Sequence, residues 1–371
     1  MSKFFDFLSH PSKQQLGLVL KPIGLVVALY IFILSITLLG ASFKLFGKEF
    51  AETLLTTTSN PIVGLFIGIL ATSIIQSSST TTSIVVGMVA GGMISIEGAI
   101  PIVMGANIGT TITNTMVSLA HINRSQEFRR AFSGAIVHDV FNVLVVIILF
   151  PLQYYTNFLG RVAIYLEGAF ENAGGLEFAS PINTITKPVA NYIIHILGDI
   201  SWLSALAAIL LLFIALKFMV DIMKSLVLER IEGFFSRTIF KTAFRALTLG
   251  IILTAIVQSS SITTSIIVPL IGAGVLTLRQ VFPYTLGANI GTTVTAILAS
   301  LVTQNSAAAA VAFSHLLFNI IGIAIFLPLA GIPISLAKKT AELTARSKWY
   351  PIVFILLTFF IIPIFLIYLL R

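Results

Sequence analysis

Seven apolar runs, near 17–40, 99–119, 131–152, 200–220, 281–303, 308–330 and 350–370, leave this chain few folds to choose from. Each is close to the roughly 20 residues that carry a helix across the hydrocarbon of a bilayer. In lipid every backbone N–H and C=O must be paired within the protein, so only helices and closed barrels cross it. Runs of this length read as helices. Of the 371 residues, 57% are hydrophobic and only 10% charged, against about a quarter charged in a soluble domain. The chain is therefore expected to be an all-α membrane protein. Its first run follows Lys3, Lys13 and Lys21 and is too long for a signal-peptide core, so it reads as a retained span. The absence of cysteine excludes disulfides, thiolate ligands and iron–sulfur clusters. The net charge of +8 is read as the basic excess of cytoplasmic loops, not as a nucleic-acid footprint.

Two more segments, 61–94 and 245–276, are apolar but interrupted at their middles by polar blocks, Gln76 to Ser83 and Gln258 to Ser265. Each flanking arm is about half a span, which predicts a helical hairpin that enters and leaves on one side. Such backbone is tolerated at membrane depth only when buried in protein or lining a wet cavity. With the N-terminus cytoplasmic and both hairpins non-crossing, the basic residues fall mainly inside: Arg124, Arg129, Arg130, a 217–245 loop, Arg279, and Lys338 to Lys348. Glu49, Glu52, Glu97, Glu167, Glu171 and Glu177 fall outside. This satisfies the positive-inside rule. The expected location is a cell inner membrane.

The two interrupted segments are copies. Residues 68–119 align without a gap to 250–301. GILATSIIQSSSTTTSIVVGM matches GIILTAIVQSSSITTSIIVPL, and MGANIGTTITNT matches LGANIGTTVTAI. Farther on, His138, Phe141, Asn142 and Pro151 match His315, Phe318, Asn319 and Pro328. Three crossings per copy, an odd number, insert the copies upside down relative to each other. The expected architecture is two inverted repeats, each with transmembrane helices, a re-entrant hairpin and a broken helix. The units are 1–152, an external connector at 153–199 with an interfacial helix near 186–198, an inverted repeat at 200–330, and a cytoplasmic loop with a final span at 331–371. Inverted repeats with interrupted helices mark secondary transporters, with the site near the midplane.

The chemistry expected there follows from residue type. QSSSTTTS and QSSSITTS carry hydroxyls and amides but no charge. Hydroxyls donate to anionic oxygens and lend oxygens to cations. A second arm starting inside the block aims free N–H groups and a positive dipole end at the site. Gly105-Ala106-Asn107-Ile108-Gly109-Thr110-Thr111 recurs as Gly287 to Thr293. Its glycines predict either close helix approach or an unwound stretch whose carbonyls, with Asn and Thr, suit a hard cation. Asp139 is an intramembrane carboxylate and so a functional candidate, able to hold a cation or a proton. His138 with Asn142, and His315 with Asn319, share helix faces and read mainly as interhelical ties. No GxxxxGK[ST] occurs, so ATP is not expected to drive the protein. It is not expected to be an enzyme: five scattered histidines do not supply a phosphatase site.

These motifs, with Phe128-Arg129-Arg130-Ala131-Phe132 and Val137-His138-Asp139, resemble those of the type II sodium-dependent phosphate cotransporter family, in a bacterial form. The resemblance covers roughly 60–152 and 245–365. It implies sodium-driven uptake of phosphate by alternating access, with phosphate at the two QSSS tips. The expected substrate-binding residues are Gln76, Ser77, Ser78, Ser79, Asn107, Thr110, Arg129, Asn142, Gln258, Ser260, Ser261 and Asn289. The resemblance assigns sodium to Ser259, Thr292 and Thr295, and Asp139 matches the carboxylate of members that move net charge; Thr115 joins this set. Before Phe128 the animal members' Gln-x-Gly-Asp-Arg is replaced by His121 to Gln126, where Arg124 stands nearest to the family's arginine. Partners expected are inorganic phosphate, co-transported sodium ions and the lipid bilayer, with no organic cofactor and no nucleic acid; a homodimer is left open. The alternative readings are an anion channel and a sodium-coupled carrier of another oxyanion.

Overall fold

A computed structural model of the chain describes residues 13–172, 180–231 and 239–371. Their regular structure is helical throughout, with no strand among the described residues. The helices are α1 Lys13–Lys44, α2 Lys48–Thr57, α3 Pro61–Ile75, α4 Ser78–Ala90, α5 Ile96–Gly109, α6 Ile112–Ser118, α7 Ser125–Thr156, α8 Phe158–Asn172 and α9 Ser180–Ile196. They continue as α10 Ser201–Ile231, α11 Ala243–Val257, α12 Ser260–Ser265, α13 Ile267–Gly272, α14 Leu278–Thr303, α15 Ser306–Phe326, α16 Gly331–Thr344, α17 Trp349–Leu356 and α18 Ile362–Leu370. A π-turn at Leu357–Ile361 makes the last two one apolar rod.

Among the described residues six helical stretches are long and apolar enough to cross a membrane. They match the expected runs except 99–119, which is divided between α5 and α6. Polarity is reversed relative to a soluble protein. Thr263, Asn142 and Ser83 are fully buried, whereas Val26 and Ile74 are about two-thirds exposed. That distribution fits a hydrocarbon surround, where the outward face loses nothing by being apolar.

Local sequence sets the boundaries. Asn60 caps α3, accepting from the Ile62 N–H at 3.0 Å, with Pro61 at the first position, where its missing N–H costs nothing. Thr277 and Gln280 form a capping box at α14. In each copy the arm before the polar block packs along the GANIGTT helix, α3 on α5 and α11 on α14. A Cβ on Gly105 would lie 1.9 Å from the Leu65 carbonyl, and one on Gly287 would lie 2.0 Å from that of Leu247. Only glycine permits this backbone contact. The GANIGTT glycines thus serve close approach.

A broken helix was expected in each copy, with the GANIGTT block read as either a close approach or an unwound stretch, and the two copies differ there. In the first, α5 ends at Gly109 and α6 begins at Ile112. Asn142 Nδ2 donates to the Asn107 carbonyl at 2.7 Å, and the Thr111 N–H turns to the Ile108 carbonyl at 3.3 Å instead. A side chain entering the i→i−4 ladder breaks the helix. In the second, α14 runs through Gly287 to Thr293 unbroken. Asn319 donates within its own helix, to the His315 carbonyl at 3.0 Å, and leaves the ladder of α14 alone. The second copy is interrupted elsewhere, at Ile266 between α12 and α13. Pro269 has no N–H for the Ser265 carbonyl, whereas the first copy has Gly87 there and a continuous α4.

Two other expectations shift. The 217–245 stretch was read as a loop, but α10 continues to Ile231, packed along α1. The segment read as a connector contains α8 and α9. α8 lies on α15, and α16 lies on α7. Each copy's third span thus supports the helix that follows the other's. Where an interfacial helix was expected near 186–198, α9 spans Ser180–Ile196 and packs against α1; Glu177 lies outside the described residues.

Candidate functional site

The two polar blocks fold alike. α3 ends at Gln76 with φ 59° and ψ 24°, and α11 ends at Gln258 with φ 59° and ψ 23°. Left-handed backbone at a long, non-glycine side chain is uncommon and tends to mark functional places. The next residues, Ser77 and Ser259, share φ −149° and ψ 105° and cap the second arms, accepting from the N–H groups of Thr80 and Ile262. Thr72 donates to Thr81 at 3.0 Å, and Thr254 pairs with Thr263 at 2.7 Å, tying the arms behind each turn.

The turns meet although 182 residues separate them. Ser79 Oγ donates to the Gln258 carbonyl, and Ser261 Oγ to the Thr110 carbonyl, each at 3.4 Å. Asn114 and Thr264 exchange hydrogen bonds at 2.8 and 3.1 Å. Between the turns lies a cavity of about 310 Å³. Gln76, Ser77, Ser79 and Thr80 line it from one copy, and Gln258, Ser259, Ser261 and Ile262 from the other. α10 closes one side with Phe213, Leu216, Lys217, Val220 and Asp221.

A buried amide–imidazole chain also joins the copies. His138 Nε2 donates to Asn289 Oδ1. Asn289 Nδ2 donates to Asn142 Oδ1 at 2.9 Å, and Asn142 reaches the Asn107 carbonyl. His315 Nε2 donates to Asn107 Oδ1 at 3.2 Å. His138 on Asn289 and His315 on Asn107 are equivalent bonds made in opposite directions across the copies. The expected role of the histidines as ties holds. Asn107, Asn142 and Asn289 direct their side-chain groups to one another, to His138 and His315, and to helix carbonyls. None of the three lines the cavity.

The profile of the Na+/Pi-cotransporter family matches residues 31–167 and 211–363, most of the chain and both copies. The chain belongs to this family. Its relatives include the sodium-dependent phosphate transport protein 2A of Rattus norvegicus, 33% identical over 94% of this chain and 68% of the relative. The 2A protein of Mus musculus is 34% identical at the same coverage. The 2B protein of Homo sapiens is 32% identical over 91% of this chain and 63% of its own length. No solved structure matches the chain. The family is one of transporters, not enzymes.

Within this cotransporter fold the expected residues divide into groups. Gln76, Ser77, Ser79, Gln258, Ser259 and Ser261 gather at the cavity. Ser78 and Ser260 are buried in the first turn of each second arm. Thr110 and Thr292 are buried, their hydroxyls donating to the Ala106 and Ala288 carbonyls at 2.9 and 3.0 Å. Thr295 donates to Gln258 Oε1 and lies 3.4 Å from Ser79 Oγ. Thr115 and Asp139 form a separate pair between α6 and α7, at 3.3 Å; Asp139 Oδ1 is buried with no partner among the described residues. Arg129 is exposed and is not part of the cavity wall. Arg124 pairs with Glu127 at 3.1 Å, and Arg130 Nε donates to the Gly272 carbonyl at 2.8 Å.

The reading of motifs missed Thr80 and Thr113 in the wall, and the whole contribution of α10. A signal for α10 existed. Lys217 and Asp221 stand four residues apart within the apolar stretch Ser201–Met223, where an ionisable residue is a functional candidate. Treating 217 as the start of a loop hid it.

Proposed function

We propose that this cotransporter family member is a secondary active carrier that takes up inorganic phosphate with sodium by alternating access. One observation carries the reading: two uncharged, hydroxyl-rich turns of matched geometry, from repeats far apart in sequence, line one cavity. Phosphate meets Gln76 to Ser79, Gln258, Ser260 and Ser261. Its oxygens accept from hydroxyls and from the Ser78 and Ser79 N–H groups at the start of α4, which no i−4 carbonyl takes. Such bonds to a charged ligand contribute about 1.5–3 kcal/mol each. Sodium takes oxygens from Ser259, Thr292 and Thr295, hard donors for a hard ion. Thr115 and Asp139 offer a second cation position, where the unpartnered Asp139 oxygen gains a counter-charge. Arg129, being exposed, meets phosphate only in transit.

The repeats are inverted in the membrane, with the QSSS turns as tips of re-entrant hairpins. The basic-residue bias supports a cytoplasmic N-terminus, and the location that goes with this reading is an inner membrane. A Cβ on Gly24 of α1 would lie 3.1 Å from Ile222, one residue past Asp221. Gly24 lies near the start of its span, so the α10 wall of the cavity lies toward the cytoplasmic end. That supports an inward-facing form. Uptake of labelled phosphate into proteoliposomes under a sodium gradient tests the reading. Uptake should collapse when potassium or choline replaces sodium; undiminished uptake would sink symport and favour an anion channel.

A further inference from the structure

The cavity wall has two formal charges, and both come from α10. Phe213, Lys217 and Asp221 follow one another at four-residue steps, with Leu216 and Val220 between, so one helix face meets the QSSS turns. Leu216 is buried in the packed interior, which fixes this face toward the protein. Lys217 and Asp221 are exposed at the cavity and form no ion pair with each other or with any other described residue. Ionisable residues on a helix face that lines a cavity are functional candidates.

Their placement suggests the use. The turns are neutral, so they bind at hydrogen-bond range and exert little pull at a distance. A lysine ammonium is a compact point charge with three donors. In a cavity with low-dielectric walls it raises the local anion concentration. An unopposed lysine would also hold a multiply charged anion and slow its departure. Asp221, one turn farther along the same face, offsets that charge.

We propose that Lys217 and Asp221 form a charge-balanced way station for phosphate between the QSSS turns and the aqueous side reached past α10. Lys217 draws the anion and sets its apparent affinity; Asp221 limits its stay. They are positioning residues acting on phosphate in transit. The inference rests on phosphate being the substrate.

Sodium-dependent exchange of labelled inorganic phosphate in proteoliposomes tests it, with Lys217→Gln, Lys217→Arg and Asp221→Asn compared at several ionic strengths. Lys217→Gln should raise KM for phosphate about tenfold, as expected for one lost charge contact, with kcat kept within about twofold. Its KM should also depend less on salt. Lys217→Arg should restore both. Asp221→Asn should lower KM and lower kcat. If Lys217→Gln leaves KM and its salt dependence unchanged, or if Lys217→Arg behaves as Lys217→Gln does, the way station is wrong. If the unmodified protein exchanges no phosphate with sodium, the proposed function fails, and this inference with it.

Discussion

The turn at Gln76 and the turn at Gln258 share a backbone to within a degree or so, yet they stand in different surroundings. Gln258 is buried, its amide nitrogen donating to the Ala255 carbonyl and its oxygen accepting from Thr295. Gln76 is exposed, and Thr113, the counterpart of Thr295, has a buried hydroxyl with no partner among the described residues. The second turn is latched and the first is open. The same division runs deeper. Thr115 and Asp139 in the first copy correspond to Ile297 and Leu316 in the second, a polar pair against an apolar one. Asn142 enters the neighbouring α5–α6 helix of its own copy, whereas Asn319 bonds only the helix it stands on. A duplicated sequence thus supplies two similar frames and loads them differently.

The comparison breaks most sharply at the asparagines. Asn142→Leu strands the Asn289 amide N–H groups and frees the Asn107 carbonyl. With about 1–3 kcal/mol for each buried group left unpaired, it should cost about 2–6 kcal/mol and abolish transport. Asn319→Leu, which removes one bond within a helix, should cost about 1 kcal/mol. Thermal unfolding in detergent measures both. Equal losses would show that the two asparagines are equivalent and that the asymmetry of the helices has another cause.

A smaller effect tests the division of ligands between the turns. A lost hydrogen bond of about 1.5–3 kcal/mol to a charged ligand lowers affinity roughly ten- to hundredfold. Ser78→Ala should weaken phosphate more than sodium, and Thr292→Val should do the reverse. Linkage spreads each change into the other constant, so the ratio of the two, by binding at saturating co-ligand, is what decides. A common ratio in both variants would show that the turns do not divide the ligands.

The smallest change in flux belongs to Asp139. Asp139→Gly should keep phosphate transport while lowering the charge moved per phosphate, because the first copy then lacks the carboxylate that neutralises an extra cation, as Leu316 already leaves the second. Simultaneous current and tracer flux measure it. An unaltered ratio would make Asp139 a structural partner of Thr115.

Much of this protein was legible before its structure, for local reasons. Apolar length specified the spans, and the duplicated QSSS and GANIGTT blocks specified paired turns and their packing helices. The helix starts at Asn60–Pro61 and Thr277–Gln280, found in the structure, are likewise local, set by bonds that close within a few residues. What the sequence could not carry was the partner of each polar group across the copies. Gln76 and Gln258 sit in nearly identical local sequence, so their different fates depend on neighbours far along the chain, such as Thr295 against Ser79. The broken helix at Thr110 looked like a property of its glycines; it is set by Asn142 arriving from α7. Lys217 and Asp221 looked like the edge of a loop until the packing of α10 on α1 carried them to the cavity wall. Period, length and capping are written in neighbouring residues. Which hydroxyl is latched and which charge faces the site are decided by contacts that exist only once the two repeats have closed on each other.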